Sequence, residues 1–246
     1  MVKLTPLVAC SSCPIRHSAV CAECDADELE HLSAIKTYRS FDTGAAMASE
    51  GETLEHFSSI VSGCATMSRT LEDGRRQTVG LLLPSDYIGR PGRKQSAFDV
   101  TALTEVTVCR FERTAFEKLL RDTPHIAARL LTMTLDELDA ARDWTVVLGR
   151  MTAREKVAAF LVSLARRQTP SKDKDPAGST TTLHLPLSRE IMADHLGLTI
   201  ETTSRQMTAL RKDGLIELVS KRDIRIPDFG ALAIEAGDDD DGGPII

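Results

Sequence analysis

Four of the six cysteines in this chain lie within fifteen residues: Cys10, Cys13, Cys21 and Cys24. The other two, Cys64 and Cys109, stand alone. Clustered thiolates bind soft and borderline metals. Spacing alone leaves three readings open. The four clustered thiols suffice for a tetrahedral zinc site. Three of them with a distant cysteine suffice for a [4Fe–4S] cluster. Unrelated free thiols are the third reading. No basic segment followed by an apolar run opens the sequence, so a cytoplasmic location is expected and a disulfide framework is not. Cys64, within Ser62-Gly-Cys-Ala, reads as a small buried filler.

A second constellation lies between Leu187 and Gly214. Ser188 can cap a helix carrying Ile191, Ala193 and Leu196. Gly197 supplies a turn in which positive φ is cheap. Thr199 can cap a second helix that stops near Gly214. Two helices so joined form a helix-turn-helix, whose second helix enters the DNA major groove by its N-terminal turns. Those turns carry Glu201, Thr202, Ser204 and Arg205. Arginine can donate two hydrogen bonds to guanine, and glutamate can accept from the cytosine amino group. Thr202 or Thr203 is placed to touch a thymine methyl or a phosphate. Leu215–Val219 and Ile224–Ile226 alternate like two short strands, a wing on which Lys221, Arg222 and Arg225 can meet phosphates. The bland reading of the segment is a helical hairpin with a solvated, ion-paired face.

Other elements must hold these groups. Asp25 and Glu28 can form a capping pair for a helix running to about Lys36. From Tyr38 to Phe111, short β-prone runs (Phe57–Val61, Val79–Leu83, Val100–Leu103, Val106–Phe111) alternate with turn signals, which predicts an antiparallel sandwich or roll. A short helix over 113–122 stops before Pro124. A long helix follows to about Gly149 with two apolar stripes, so both faces must be covered. Leu131, Leu138 and Leu148 lie on the stripe expected to form a dimer seam; Leu130, Met133 and Trp144 lie on the one expected to face the roll. A helix over Thr152–Arg166, a loop over Gln168–Thr182 and a mobile acidic tail over Gly237–Gly243 complete the chain. The expected divisions are 1–24, the cysteine-rich segment; 25–122, the roll; 123–149, the dimerisation helix; 150–230, the DNA-binding domain; and 231–246, the tail.

The charge is uneven. Residues 149–226 carry 14 Lys/Arg against 9 Asp/Glu, whereas the remainder carries 16 against 27. Only the C-terminal third is therefore suited to an anionic partner. A hydrophobic content of 42% and a charged content of 27% exclude a disordered or collagen-like chain. No apolar run approaches the ~18 residues of a membrane span, so no membrane partner is expected.

Taken together, the cysteine lead-in, roll, long helix and winged helix-turn-helix resemble the Crp/Fnr superfamily over nearly the whole chain. The Glu201-x-x-Ser204-Arg205 pattern is similar to its Fnr branch. The resemblance implies an α+β fold: an N-terminal antiparallel β-roll of the cyclic-nucleotide-binding type, a long dimerisation helix and a C-terminal winged helix-turn-helix. It implies a homodimer that reads an inverted TTGAT-type repeat in double-stranded DNA, with base contacts from Glu201, Ser204 and Arg205, Thr202 beside them and Thr199 as cap. It also implies an oxygen sensor that activates low-oxygen genes, contacts RNA polymerase and holds a [4Fe–4S] cluster. Cys10-x2-Cys13-x7-Cys21 resembles the alphaproteobacterial spacing, and Cys109 stands at the matching place late in the roll. The implied ligands are Cys10, Cys13, Cys21 and Cys109. Cys24 departs from the pattern, either as a spare thiol or as a substitute for Cys21, with Cys21 favoured. The alternative is a regulator of this type with a structural zinc site or another effector.

Rival chemistries lack their motifs. Cyclic-nucleotide-responsive members carry an acid after a glycine and an Arg-Ser or Arg-Thr pair; the matching Ile88–Val100 segment has neither, so no cyclic nucleotide is expected. His17, His31 and His56 have no haem motif around them. No Gly-x-Gly-x-x-Gly, Walker loop, His-Glu-x-x-His or Gly-x-Ser-x-Gly occurs, so an enzyme is not expected.

Overall fold

The computed structural model describes residues 9–168 and 180–237. The chain divides into two units, Met1–Asp136 and Glu137–Ile246, with the division inside one long helix.

In the first unit, helix α1 (Ala26–Ile35) begins with the expected capping box: the Asp25 side chain accepts from the Glu28 amide, and Glu28 accepts from the Asp25 amide. Lys36 does not end this helix; it opens strand β1 (Lys36–Phe41). Strands β2 (Ala46–Ala48), β3 (His56–Ser62), β4 (Ala65–Thr70), β5 (Arg76–Leu82), β6 (Tyr87–Ile88), β7 (Asp99–Ala102) and β8 (Val106–Glu112) follow. They form two four-stranded antiparallel sheets, ordered β1-β8-β3-β6 and β2-β7-β4-β5. This is the roll expected from the spacing of turns. Between β3 and β4, Gly63 has φ +87°, and a Cβ there would lie 2.2 Å from the Glu105 carbonyl oxygen. Its neighbour Cys64 is buried, as expected of a filler.

Period-two alternation gives the first sheet two covered faces. Ile60, Val106 and Val108 face the roll interior with Ala65, Leu82 and Val100. Tyr38, Phe57, Cys109 and Phe111 face a second core with Cys10, Val20, Cys24 and Leu32. Helices α2 (Arg113–Asp122) and α3 (Pro124–Arg150) close that core through Phe116, Leu119, Ile126 and Leu130. Phe116 stacks on Phe57 with ring centroids 4.0 Å apart.

On α3, Ile126 and Leu130 are thus committed to the core, whereas Leu131, Leu138 and Leu148 are 59%, 44% and 36% exposed. Trp144 departs from expectation. It sits in the second unit, edge-on to His195 at 4.6 Å and beside Phe160, and so packs against DNA-domain side chains rather than the roll.

The second unit contains α4 (Ala153–Gln168), β9 (Thr181–His184), α5 (Arg189–Leu196), α6 (Ile200–Lys212), β10 (Glu217–Leu218), β11 (Asp223–Ile226) and α7 (Phe229–Glu235). The strands form one antiparallel sheet, β10-β11-β9. Helix α4 buries Val157, Phe160, Leu161 and Leu164 against its neighbours. The Arg154 guanidinium donates to Glu235 at 2.7 Å and to Asp213 at 2.6 Å, which ties the start of α4 to α7 and to the end of α6. These two carboxylates hold the Arg154 guanidinium above its ordinary range. The region read as tail from residue 231 is helical as far as Glu235, with Leu232, Ala233 and Ala236 buried. The expected loop over 168–182 falls mainly outside the described residues, although α4 reaches Gln168 and β9 starts at Thr181. The acidic residues 238–243 also lie outside the described residues.

Candidate functional site

The cysteine segment is held by its own side chains. Cys10 opens a short 3-10 turn, Cys10–Ser12. Arg16 donates to the carbonyls of Cys21 (2.8 Å), Ala22 (2.6 Å) and Cys24 (2.6 Å), which fixes the loop between them. Ile15, Ala19 and Val20 are buried beneath it. Arg129 of α3 donates to the Ser18 carbonyl at 2.8 Å.

Strand register positions the distant thiol. On β8, Cys109 pairs with Tyr38 of β1 and Ser59 of β3, on the face that the cysteine segment covers. Cys10 and Cys109 are buried, while Cys13 and Cys21 are half-buried. Burial pushes the Cys109 thiol up to about 12, opposed by Lys36 and reinforced by Cys10, Cys13 and Cys21. Burial raises the Cys21 thiol too, followed by Cys13 and Cys10. Cys10 and Cys109 share one core, and Cys21 packs against it. The Cys24 thiol is pushed up to about 12 by burial first, then by Cys21 and Glu28.

Lys36 supplies the local cation. It is 5% exposed, and its Nζ lies 3.2 Å from Cys10 Sγ and 5.1 Å from the centre of the Tyr38 ring. Sequence reading missed both Lys36 and Arg16.

The donor set fits an iron–sulfur cluster, which takes four thiolates. Four thiolates also make up the full ligand set of a tetrahedral zinc ion. Tetrahedral zinc with ~2.3 Å bonds to sulfur holds its thiolates roughly 3.8 Å apart. Among the described residues, no three cysteine sulfurs lie within 4.8 Å of one another. Four irons, each with one thiolate, spread their ligands farther than a single ion does.

The second constellation folds as its caps dictate. Ser188 accepts from the Ile191 amide at the start of α5. Gly197 follows with φ +62°. Thr199 then accepts from the Thr202 amide at 3.2 Å and opens α6. Helix α6 buries Thr203, Met207 and Leu210, and it leaves Glu201 and Arg205 exposed and Thr202 and Ser204 half-buried. Thr203, once an alternative to Thr202 for DNA contact, is fully buried and belongs to the packing. Arg205 donates to Thr202 Oγ1 at 3.3 Å. The Glu201 carboxyl is held below its ordinary range by hydrogen bonds to its own backbone and Thr199, and by Arg205. Across the wing, Arg225 pairs with Glu217 in register, which leaves Lys221 and Arg222 as exposed cations at the hairpin. The exposed face of α6 and the hairpin thus present hydrogen-bonding and cationic side chains together.

Arg90, Pro91 and Arg93 of the Ile88–Val100 segment line a small open pocket with His56, Phe57, Arg113 and Glu117. Glu117 accepts from the Gly92 amide and from Arg113.

No helix among the described residues is long and apolar enough to cross a membrane.

Comparison with known proteins gives the same two parts. Residues 155–234 match the Crp-like helix-turn-helix domain family, and residues 38–123 match the cyclic nucleotide-binding domain family. The chain is 54% identical to the transcriptional activator protein FnrL of Cereibacter sphaeroides, over 97% of this chain and 96% of that protein. It is 39% identical to the nitrogen fixation regulation protein FixK of Bradyrhizobium diazoefficiens, over 85% of this chain and 86% of that protein. Among solved structures, FixK2 from Bradyrhizobium japonicum is similar with a TM-score of 0.73 and 31% identity. That match covers 80% of this chain and 96% of that one.

Proposed function

Because the chain belongs to the Crp/Fnr family of DNA-binding transcriptional regulators, we propose that it is an oxygen-responsive activator. In this reading it acts as a homodimer on an inverted TTGAT-type repeat, and Cys10, Cys13, Cys21 and Cys109 hold a [4Fe–4S] cluster. The observation that carries the reading is the position of Cys109. Strand register sets it on the face covered by a cysteine segment nearly a hundred residues earlier in the chain, in one core with Cys10 and with Cys21 packed against it.

When bound, the cluster supplies an oxygen-labile cross-link between that segment and the roll. The chain's own residues do the rest. Lys36 offsets negative charge at Cys10. Arg16 keeps the Cys21–Cys24 backbone in place. Arg129 and the shared core connect the segment to the first turns of α3. The exposed leucines of α3 supply the seam for a second copy. Pairing in turn spaces two reading helices for half-sites ~34–36 Å apart. In each reading helix, Arg205 and Glu201 read bases beside Ser204, and Thr202 contacts the backbone or a thymine methyl. RNA polymerase is the further partner of such an activator, and the cavity beside Arg90 is read as a solvated basic loop rather than a cyclic-nucleotide site.

The test is to purify the protein without oxygen and measure iron, sulfide, zinc and the visible spectrum before and after air. Iron and sulfide at four each per chain, with colour and operator binding lost together in air, is the expected result. One tightly held zinc and no colour would overturn the oxygen-sensing part and leave the DNA-binding part standing.

A further inference from the structure

Cys24 adjoins the four thiols of the proposed cluster on one side, and on the other it meets neighbours of another kind. The ligand atoms of Cys24, Glu28 and His125 lie within 4.8 Å of one another. His125 Nε2 is 2.9 Å from Glu28 Oε2. We propose that Cys24, Glu28 and His125 form a separate site for a borderline divalent cation, zinc, with the fourth position open to water.

Three observations carry this. The first is the donor set. One thiolate, one carboxylate and one imidazole are the three ligand types zinc takes, and together they bring two negative charges to a dication. The second is spacing. A tetrahedral zinc site sets such ligand atoms roughly 3.3–3.8 Å apart, so closure requires side-chain movement of about 1 Å. The clustered cysteines, by contrast, place no three sulfurs within that reach. The third is pre-orientation. Arg16 fixes the Cys24 carbonyl, and the capping box pins Glu28 through the Asp25 amide. His125 is the second residue of α3, and its neighbour Ile126 is buried in the core that contains Cys24. Donors already held in place lose little freedom on binding.

A simple ion pair between Glu28 and His125 would leave Cys24 to core packing alone. With metal, the end of the cysteine segment, the first turn of α1 and the first turn of α3 become one unit. The cation would then be a second input to α3, independent of whether Cys10, Cys13, Cys21 and Cys109 hold iron.

The experiment measures zinc bound per chain and its affinity against a competing chelator, in wild type, Glu28→Gln, His125→Gln and Cys24→Ala. Glu28→Gln keeps a side-chain acceptor for the Asp25 amide, and His125 is partly exposed, so the first two variants retain the fold. Each variant is expected to lose one zinc equivalent, or to weaken it by more than tenfold. If the four-thiol group holds iron, wild type binds one zinc and His125→Gln none; if that group takes zinc instead, the counts are two and one. The difference of one equivalent is the same in both cases, so failure of the iron reading does not mimic failure of this one. Cobalt(II) in the site should show charge-transfer absorption from a single thiolate, lost in Cys24→Ala. Equal zinc content and affinity in wild type and both folded variants would overturn the proposal.

Discussion

In the free protein the Arg205 guanidinium rests on Thr202 of its own helix. That contact is exposed and easily exchanged for a base, so its loss costs little on binding. A bidentate arginine–guanine pair is worth ~1–3 kcal/mol of discrimination. Arg205→Ala should therefore weaken operator binding by about 5- to 150-fold. Binding to a scrambled duplex should weaken much less, through one fewer cation in the salt dependence. Fluorescence anisotropy on both duplexes checks this, and equal losses on both would make Arg205 a phosphate contact only. At this scale the helix-turn-helix was legible, because its caps are local in sequence. The Thr199 cap needed no long-range contact to be found, and the helix it opens leaves Glu201 and Arg205 exposed. The thiol environment was legible only in part. Lys36 looks like the polar end of a helix until the β1–β8 pairing turns it under Cys10. The Glu28–His125 pair joins residues far apart in sequence and left no local signal.

Helix starts and stops were the most readable elements, since each rests on a few neighbouring residues. The turn between α5 and α6 shows what they are worth. Gly197 sits at φ +62°, and a Cβ there would meet nothing within 4 Å. Gly197→Ala should thus cost only the left-handed backbone penalty, ~1–2 kcal/mol. Thr199→Ala removes the oxygen that accepts from the Thr202 amide and should cost ~0.5–2 kcal/mol. Trp144 is the one tryptophan, and it packs on His195 of α5. Its fluorescence during urea unfolding is a direct readout of this unit. A midpoint unchanged in both variants would mean that packing, not capping, sets the turn. Short strands were poorly legible, for a physical reason: β2, β6 and β10 are two or three residues long and are defined by their partners rather than by periodicity. Helix α7 was hidden similarly. Its seven residues are too few for a helical period to stand out beside the acidic run that follows.

At the scale of the whole molecule, α3 exposes several large apolar side chains within one chain. Leu131, Leu135 and Leu138 follow one another at helical spacing and are 59%, 49% and 44% exposed. Acidic Asp136, Glu137, Asp139 and Asp143 lie among them, with Asp139 paired to Arg142 at 3.0 Å. Like charges brought together by a second copy would oppose pairing, so the leucines must outweigh them. Full burial of a leucine side chain is worth ~1.5–3 kcal/mol. Leu138 is already more than half covered within its own chain, so about half of that remains for the partner. A two-fold interface counts it twice, which gives ~1.5–3 kcal/mol per dimer. Leu138→Ala should raise the dimer dissociation constant by about 10- to 150-fold. Leu130→Ala is the control, because Leu130 is buried in the core beneath the cysteine segment. That change should lower unfolding stability by ~2–5 kcal/mol and leave the association of the folded protein largely intact. Sedimentation velocity across a concentration series, paired with urea unfolding, separates the two effects. If Leu138→Ala sediments like wild type while Leu130→Ala dissociates, the seam lies elsewhere on α3. Operator affinity should track the dimer constant in Leu138→Ala, since a single reading helix engages only one half-site.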